Sequence, residues 1–326
     1  MNSSQYPLHK WLPQASSLVY GCMGLGGTWD HTPVGEVDIS RAEAAVEAAL
    51  AIGITLFDHA DIYTLGKAES AFGALLARRG SLRQQILIQS KCAIRFEDGA
   101  GPKRYDLSAQ HVEASVEGSL KRLGIDGLDL LLLHRPDPLV ELEELAEVLA
   151  RMKSAGKYLH LGVSNMHAGQ IAWLAQALNQ PLVANQIEFS LGHLDLLEAG
   201  TCFNDLQARK NPAAMAWAGT LEHCVQHGIQ LQSWGALARG RFSGDNPRHA
   251  ADAPARAMVS DMAERYGVSR EGLVLAWLMR HPACIQPVIG TSAPRRILAC
   301  GDAATISLRR EDWFSLYEAA RGQPLP

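Results

Sequence analysis

The sequence predicts a parallel (β/α)8 barrel, or TIM barrel, as a single domain over residues 1–326. Eight short apolar segments alternate with amphipathic helical segments, and no Pro-, Gly- or Ser-rich linker divides the chain. The apolar segments show no polar alternation, which is typical of parallel strands covered on both faces. Eight β-then-α units in roughly 300 residues fit a closed barrel. A doubly wound open sheet with an appended domain is the alternative.

The elements follow from the hydrophobic pattern in chain order. Helical patterns begin after Ser40 and near residues 109, 142, 171 and 269. A glycine closes several of these helices just before the next strand, where a left-handed C-cap belongs; these glycines are Gly53, Gly124, Gly156 and Gly228. The predicted strands are 17–21, 54–58, 86–91, 128–134, 160–165, 182–188, 229–234 and 285–290.

Two segments are longer than ordinary connections, namely 92–108 and 189–217. They follow the third and sixth strands, so they should overhang the C-terminal face of the barrel, where long loops usually act as lids or binding loops. The segment HKWLPQAS (9–16) is expected to form a short hairpin that closes the opposite end.

Composition and charge exclude several classes of function. The net charge is −4 and basic residues cluster only in pairs, which argues against nucleic acid as a partner. The longest apolar run is too short to span a bilayer, and the N-terminus lacks the apolar region of a signal peptide. Six scattered cysteines lack metal-ligand spacing and indicate reduced thiols. We therefore expect a cytoplasmic protein without a metal site, as a monomer or a small homo-oligomer.

Polar residues stand at the carboxyl ends of the predicted strands. Asp58, Lys91 and His134 end three successive strands. In a (β/α)8 barrel these ends open onto one face, where active sites are built. The same face should receive Ser164, Asn165, Gln186, Trp234, Gly290, Thr291 and Ser292.

The residues around Tyr63 suggest acid catalysis on a carbonyl group. A lysine ammonium about 4 Å from a phenol favours the phenolate, so Lys91 is expected to lower the pKa of Tyr63, with desolvation offsetting part of the effect. Asp58 would keep that lysine charged, and His134 would orient the carbonyl oxygen. Hydride transfer to a carbonyl needs such a proton donor for the developing alkoxide. Read singly, Asp58 could be a helix cap or a salt-bridge partner, and Tyr63 a packing residue.

The sequence resembles the aldo-keto reductase superfamily over nearly its whole length, and most closely the branch of bacterial oxidoreductases and potassium-channel β-subunit-like proteins. The matching motifs, in the family's order, are GITLFDHADIYTLGKAESAFG (53–73), ILIQSK (86–91), LDLLLLHRPDP (128–138), GKYLHLGVSN (156–165), ANQIEFS (184–190), WGALARG (234–240) and PVIGTSAPRRI (287–297). The resemblance implies a TIM barrel that binds NADP(H) across its C-terminal face.

The resemblance also implies roles for individual residues. Tyr63 would be the proton donor, Lys91 and Asp58 its tuning pair, and His134 the residue that orients the substrate. The residues implied to bind the cofactor are Ser164, Asn165 and Gln186 at the nicotinamide carboxamide, Trp234 stacked on the nicotinamide, Leu237, Arg239 and Gly240 at the pyrophosphate, and Gly290, Thr291, Ser292 and Arg296 after the last strand, with Ser292 and Arg296 at the 2′-phosphate.

Two departures from the family pattern affect what is expected. Trp234 stands where the family usually has a tyrosine, and Cys300 stands where it often has an asparagine that contacts adenine. The segment after Arg310 is short, which suggests an open pocket. The leading expectation is NADPH-dependent reduction of a small-molecule carbonyl substrate. The alternative is a regulatory protein that binds NADPH with little turnover.

Overall fold

The structure, a computed structural model, describes residues 6–202, 215–245 and 249–326, and its strands form the predicted barrel. The ten strands are β1 (Val19–Gly21), β2 (Leu56–Asp58), β3 (Leu87–Cys92), β4 (Ile94–Arg95), β5 (Arg104–Tyr105), β6 (Leu128–Leu133), β7 (Tyr158–Ser164), β8 (Leu182–Glu188), β9 (Gln230–Trp234) and β10 (Gln286–Ile289). Eight of them close a parallel barrel in the order β1-β2-β3-β6-β7-β8-β9-β10, and β10 pairs with β1.

Helices cover the outside of the barrel between successive strands. They are α1 (Glu36–Ala51), α2 (Lys67–Arg78), α3 (Ala109–Leu123), α4 (Leu142–Ser154), α5 (Ala168–Leu178), α6 (Asp195–Thr201), α7 (Thr220–Gln226), α8 (Ala253–Tyr266), α9 (Arg270–Met279), α10 (Pro294–Cys300) and α11 (Arg310–Arg321). Gly124 has a φ of +67° and ends α3 as the predicted left-handed cap. None of the helices described in this structure has the length and apolar character needed to cross a bilayer.

Apolar packing divides into an outer and an inner core. The outer core lies between the helices and the barrel wall and contains Phe72, Leu149 and Trp277, all completely buried. The inner core fills the N-terminal half of the barrel with side chains such as Leu56 and Leu130. Burial on both faces explains why the strands read as apolar runs rather than as alternating patterns.

The N-terminal segment is not the predicted hairpin. Residues Pro7–Lys10 form a 3-10 turn that begins with a proline, and the buried Leu8 and Leu12 join the inner core. Proline suits the first position of a helical turn because its ring fixes φ. It lacks a backbone N–H, which at this position would have no acceptor within the turn. The segment does cap the N-terminal end of the barrel, since the Leu8 amide donates to Gln230 at the start of β9 (3.4 Å).

The two long connections differ. Segment 92–108 contains the antiparallel pair β4–β5, in which Ile94 lies opposite Tyr105. Its Phe96 meets Trp29 from the connection after β1 edge to face, with ring centroids 6.3 Å apart. The other predicted loop, 189–217, includes α6, and its residues 203–214 lie outside the described part of the chain.

Candidate active site

Lys91 lies at the centre of a buried polar cluster at the carboxyl ends of β2 and β3. Its Nζ donates to Asp58 Oδ1 at 2.6 Å, to the His59 carbonyl at 2.9 Å and to Tyr63 Oη at 3.0 Å. The side chains of Lys91 and Asp58 are 0% and 2% exposed, so water does not screen this ion pair. The structure therefore joins a carboxylate, an ammonium and a phenol in one hydrogen-bonded chain.

The backbone that carries Tyr63 is strained. Thr64 and Leu65 follow it with φ of 47° and 59°, in the left-handed region that non-glycine residues rarely occupy. Thr64 is buried under Gly26, where an added Cβ would lie 2.2 Å from Thr64 Oγ1. Close packing thus holds the turn in a conformation that directs Tyr63 toward Lys91.

Burial decides the protonation of the cluster. Desolvation raises the pKa of Tyr63, and Lys91 lowers it by a smaller amount, so the net pKa is raised. The expectation of a net lowering is therefore wrong. Burial also opposes the charge on Lys91, but Asp58 and Tyr63 outweigh it and raise the pKa of the ammonium. At neutral pH the cluster therefore holds a protonated phenol beside a charged lysine.

His134 faces the same cluster from the neighbouring strand. It is the first residue after β6, and its amide donates to the Cys92 carbonyl at 2.8 Å. Its ring lies 6.2 Å from the Tyr63 ring, edge to face. Burial lowers its pKa well below the ordinary value, and the positive charges of Lys91, Arg135 and Lys103 lower it further. His134 is therefore a neutral imidazole, which can donate one hydrogen bond without a charge of its own.

Four residues predicted for the nicotinamide end lie together at the ends of β7, β8 and β9. Ser164 Oγ donates to the Gln186 carbonyl at 2.7 Å, and Asn165 Nδ2 donates to Ser164 Oγ at 2.8 Å and to the His134 carbonyl at 3.2 Å. Trp234 Nε1 donates to Asn165 Oδ1 at 3.0 Å. The indole nitrogen thus anchors the Trp234 ring, and Asn165 links this group to the residue that follows β6.

The residues predicted for the phosphates lie on exposed loops after β9 and β10. Leu237 is half-buried, Arg239 is exposed with a φ of 56°, and Gly240 is buried with a φ of +77°. Gly290 and Ser292 are exposed and Thr291 is partly so, and a Cβ on Gly290 would meet nothing within 4 Å. This part of the site is open space bordered by backbone.

Arg296 has a partner that the sequence did not reveal. Its Nε lies 3.2 Å from Glu271 Oε1 at the start of α9, and a Cβ on Gly240 would lie 3.2 Å from its Nη2. The neighbouring Arg295 is exposed. Cys300 is buried, and its thiol donates to the Arg296 carbonyl at 3.1 Å.

The structure also places residues that sequence reasoning did not single out. Four completely or almost completely buried glutamines, on β3, β8, β9 and β10, form hydrogen bonds inside the barrel; they are Gln89, Gln186, Gln232 and Gln286, of which only Gln186 was predicted at the site. The signal was present, because a glutamine recurs near the same level in ILIQSK, LVANQIE, IQLQSW and IQPVIG. These strands are therefore not continuously apolar.

Two further ionisable residues, His59 and Asp61, lie between Asp58 and Tyr63 in the sequence. In the part of the chain that the structure describes, no cluster of three or more His, Cys, Asp or Glu could hold a metal ion. The His59 ring is buried against Phe72, 4.6 Å away, and both ring nitrogens lack hydrogen-bond partners. Burial and the nearby Lys91 lower its pKa to about 3. Burial and the neighbouring Glu69 raise the pKa of Asp61 to about 7.

The residues present fit a nicotinamide dinucleotide. Ser164, Asn165 and Gln186 offer hydroxyl and amide groups suited to a carboxamide, and Trp234 offers a partly exposed aromatic face. Beyond them, Gly290 leaves open space at the end of β10, and the Arg296 guanidinium suits phosphate oxygens. The buried His134 Nδ1 is without a hydrogen-bond partner.

Comparisons with known proteins agree with this architecture. The family model described as "Aldo/keto reductase family" matches residues 17–321. The chain is 35% identical over 314 residues to the 6-dehydroglucose reductase of Agrobacterium fabrum, covering 95% of this chain and 96% of that protein.

Solved structures show the same fold at lower identity. The glycerol dehydrogenase of Gluconobacter oxydans has a TM-score of 0.77 at 22% identity, covering 96% of this chain and 94% of that one. An aldo/keto reductase from Klebsiella pneumoniae in complex with NADP and acetate has a TM-score of 0.70 at 22% identity, covering 95% and 93% of the two chains. Both likenesses concern the barrel and its connections.

Proposed function

The chain belongs to the aldo/keto reductase family, a family of oxidoreductases, and from this premise we propose that it reduces aldehydes or ketones to alcohols with NADPH, with Tyr63 as the proton donor. The observation that carries the proposal is the buried contact of Lys91 Nζ with both Asp58 Oδ1 (2.6 Å) and Tyr63 Oη (3.0 Å). Such an arrangement has a protonated phenol and a means of stabilising its phenolate.

The proposed mechanism assigns each residue one task. His134 is neutral and donates a hydrogen bond to the carbonyl oxygen, which orients and polarises the substrate. Bound NADPH would supply the hydride to the carbonyl carbon. Tyr63 transfers its phenolic proton to the same oxygen as negative charge develops there. Lys91 stabilises the phenolate that remains, and Asp58 keeps Lys91 charged.

The proposed cofactor site runs from the barrel axis to the rim. Ser164, Asn165 and Gln186 would hold the carboxamide, and Trp234 would stack on the ring. Leu237, Arg239 and Gly240 would follow the pyrophosphate, and Gly290, Thr291, Ser292 and Arg296 would bind the adenosine end and its 2′-phosphate. The NADP complex of the K. pneumoniae reductase supports this choice of cofactor.

The substrate would be a small carbonyl compound. The aromatic contact between Phe96 and Trp29 joins the connections after β3 and β1. We propose that these two connections form the substrate wall. We also propose that the chain acts as one domain in the cytoplasm, as a monomer or small homo-oligomer. We propose that it binds neither nucleic acid nor membrane, which its net charge of −4 supports.

The test is consumption of NADPH with a panel of carbonyl compounds that includes an aromatic aldehyde, a dicarbonyl and an aldehyde sugar. We expect turnover of at least one class, with NADPH preferred over NADH. Tight NADPH binding without turnover of any member would instead indicate the regulatory protein considered above. Absence of both binding and turnover would contradict the proposed function itself.

A further inference from the structure

A row of buried amides crosses the barrel interior beneath the proposed active site. Gln89 Nε2 donates to Asp58 Oδ1 at 2.6 Å and to Gln232 Oε1 at 2.9 Å. Gln232 Nε2 returns a hydrogen bond to Gln89 Oε1 at 3.1 Å, so the two amides pair reciprocally. Gln186 Nε2 donates to Gln232 Oε1 at 3.0 Å. The row therefore connects Asp58 to Gln186 by direct hydrogen bonds alone.

Strand register places these amides at neighbouring levels. Asp58 lies opposite Gln89 in the β2–β3 pair, and Gln232 lies opposite Gln186 on one side and Gln286 on the other. Gln89, Gln232 and Gln286 are 0% exposed and Gln186 is 2% exposed. Because buried amides cost free energy unless they are hydrogen-bonded, each of them is held by its neighbours.

The direction of every hydrogen bond in the row follows from Asp58. A carboxylate only accepts, so Gln89 must present its nitrogen to Asp58. Its second hydrogen then goes to Gln232 Oε1, and its oxygen accepts from Gln232 Nε2. Gln232 then uses both lone pairs and both hydrogens, since its second hydrogen goes to Gln286 Oε1 at 3.0 Å. Gln286 Nε2 ends the row at the Ser16 carbonyl, 2.6 Å away. A 180° flip of any side-chain amide in the row would break the hydrogen bonds to its neighbours.

We propose that Gln89 and Gln232 are positioning residues that hold Asp58 and Gln186 in register, and with them the proton-donor cluster and the nicotinamide end of the cofactor site. Gln89 and Lys91 donate to the same oxygen of Asp58, so the glutamine fixes the carboxylate that aims the lysine at Tyr63. Gln232 fixes which end of the Gln186 amide faces the ligand. The inference rests on the proposed function and extends it to residues that touch neither substrate nor cofactor.

Gln230 provides a matched control on the same strand as Gln232. It is also 0% exposed, but its amide donates to the Cys284 carbonyl at 2.7 Å, at the N-terminal end of the barrel. Gln230→Met and Gln89→Met each remove one side-chain amide, and both amides are completely buried. If the glutamines only satisfied buried polar groups, the two variants would differ little in catalysis.

The experiment compares steady-state reduction and its pH profile in the full-length chain. Gln89→Met should lower kcat about 10- to 100-fold, as expected for loss of one hydrogen bond to a charged group, with little change in the KM of the carbonyl substrate. The alkaline limb of the profile should move to higher pH, because an Asp58 that has lost this donor attracts the Lys91 proton more strongly. Gln230→Met should keep kcat within about two-fold of the wild-type value and leave the pH of the alkaline limb unchanged.

A graded series keeps the test valid if Gln89→Met folds poorly. Gln232→Met should lower kcat less than Gln89→Met, and Gln286→Met less again, because each is one amide further from Asp58. NADPH affinity should fall most for Gln232→Met, through Gln186. Equal losses in all variants, including Gln230→Met, would overturn the proposal.

A cofactor-free measurement separates this inference from the proposed function. The melting temperature is measured for Gln89→Met in the wild-type chain and in Asp58→Ala. The substitution should lower it clearly in the wild-type chain and much less once its acceptor is gone, because residues in one hydrogen-bond network are not additive. Equal losses in both backgrounds would refute the link. Absence of turnover in the wild-type chain would contradict only the proposed reaction.

Discussion

The proposed proton-donor side and the proposed phosphate side of the barrel mouth are built differently. On the first side, Asp58 and Lys91 are buried and bonded to each other, and Lys91 also donates to Tyr63. On the second, Gly290 and Ser292 are exposed, and Arg296 forms an ion pair with Glu271. The first side pairs its carboxylate and its ammonium within the protein, whereas the second has cationic and backbone groups suited to a charged ligand.

The difference has a physical reason. Groups that tune a proton need a low dielectric and fixed distances, so they are placed on strands and packed under side chains. Groups that bind a phosphate must be reached from solvent, so they are placed on loops and on the first turn of α10. Changes on the proton-donor side should therefore alter rate and stability, and changes on the phosphate side should alter cofactor affinity.

Lys91→Met is expected to have the largest effect. It removes the cation shared by Asp58 and Tyr63, so the rate should fall by roughly three orders of magnitude. It also leaves Asp58 as an unpaired buried carboxylate, which should cost about 3–5 kcal/mol of stability. Turnover and thermal melting measure the two effects. Lys67→Met removes another largely buried lysine, bonded to Asp30 at 2.7 Å, and should lose stability without a comparable loss of rate.

Arg296→Leu should impair the proposed phosphate side and lower the affinity for NADPH. Loss of charge-assisted hydrogen bonds to a 2′-phosphate should weaken NADPH binding about 10- to 100-fold and leave NADH binding unchanged. Fluorescence titration of both cofactors measures this. The neighbouring exposed residue serves as control, because Arg295→Leu should weaken NADPH binding much less. An equal loss for NADPH and NADH would show that Arg296 does not bind the 2′-phosphate.

Glu271→Gln should have a smaller effect on NADPH affinity, and of opposite sign to that of Arg296→Leu. Glu271 lies 3.2 Å from Arg296 Nε and competes with a phosphate for the guanidinium. Neutralising it should tighten NADPH binding about three- to ten-fold at low salt, with a smaller change at high salt. NADH affinity should not improve. Weaker NADPH binding in this variant would mean that Glu271 orients Arg296 more than it competes with the phosphate.

Asp61→Asn should change stability with little effect on rate. The pKa of Asp61 is raised from 3.8 to about 7, so the folded state holds its proton more tightly than the unfolded chain. This favours folding below pH 3.8 and is lost as pH rises through 7. The variant should therefore melt several degrees above the wild-type protein at pH 8, and the difference should vanish near pH 4. A difference independent of pH would contradict this assignment.

The barrel is confirmed, and Asp58, Lys91 and Tyr63 lie together as the sequence suggests, because both features leave local signals. Asp58 and Lys91 stand out as ionisable residues at the ends of apolar strands, and parallel topology brings strand ends to one face. Tyr63 follows β2, Ser164 and Asn165 stand at the end of β7, and Gln186 lies near the end of β8, so all four fall in three such strand-end motifs. Their roles in catalysis and binding remain predictions.

Other features depend on contacts that no local pattern encodes. The Glu271–Arg296 pair joins residues 25 positions apart on two helices, and the amide row depends on strand register across four strands. A glutamine in an apolar strand gives no sign of its partners. The left-handed turn at Thr64 and Leu65 was also not apparent, because neither residue type favours that conformation.

The most direct test of the central claim compares Tyr63→Phe with Tyr158→Phe. Tyr158 is another buried tyrosine, whose hydroxyl donates to the Leu149 carbonyl at 2.9 Å, away from the cluster. Removing the hydroxyl of Tyr63 should leave NADPH affinity within a few-fold and lower the rate of carbonyl reduction by at least about 100-fold, as for loss of a general acid. The control should keep its rate. Near-normal reduction by Tyr63→Phe would show that another group delivers the proton.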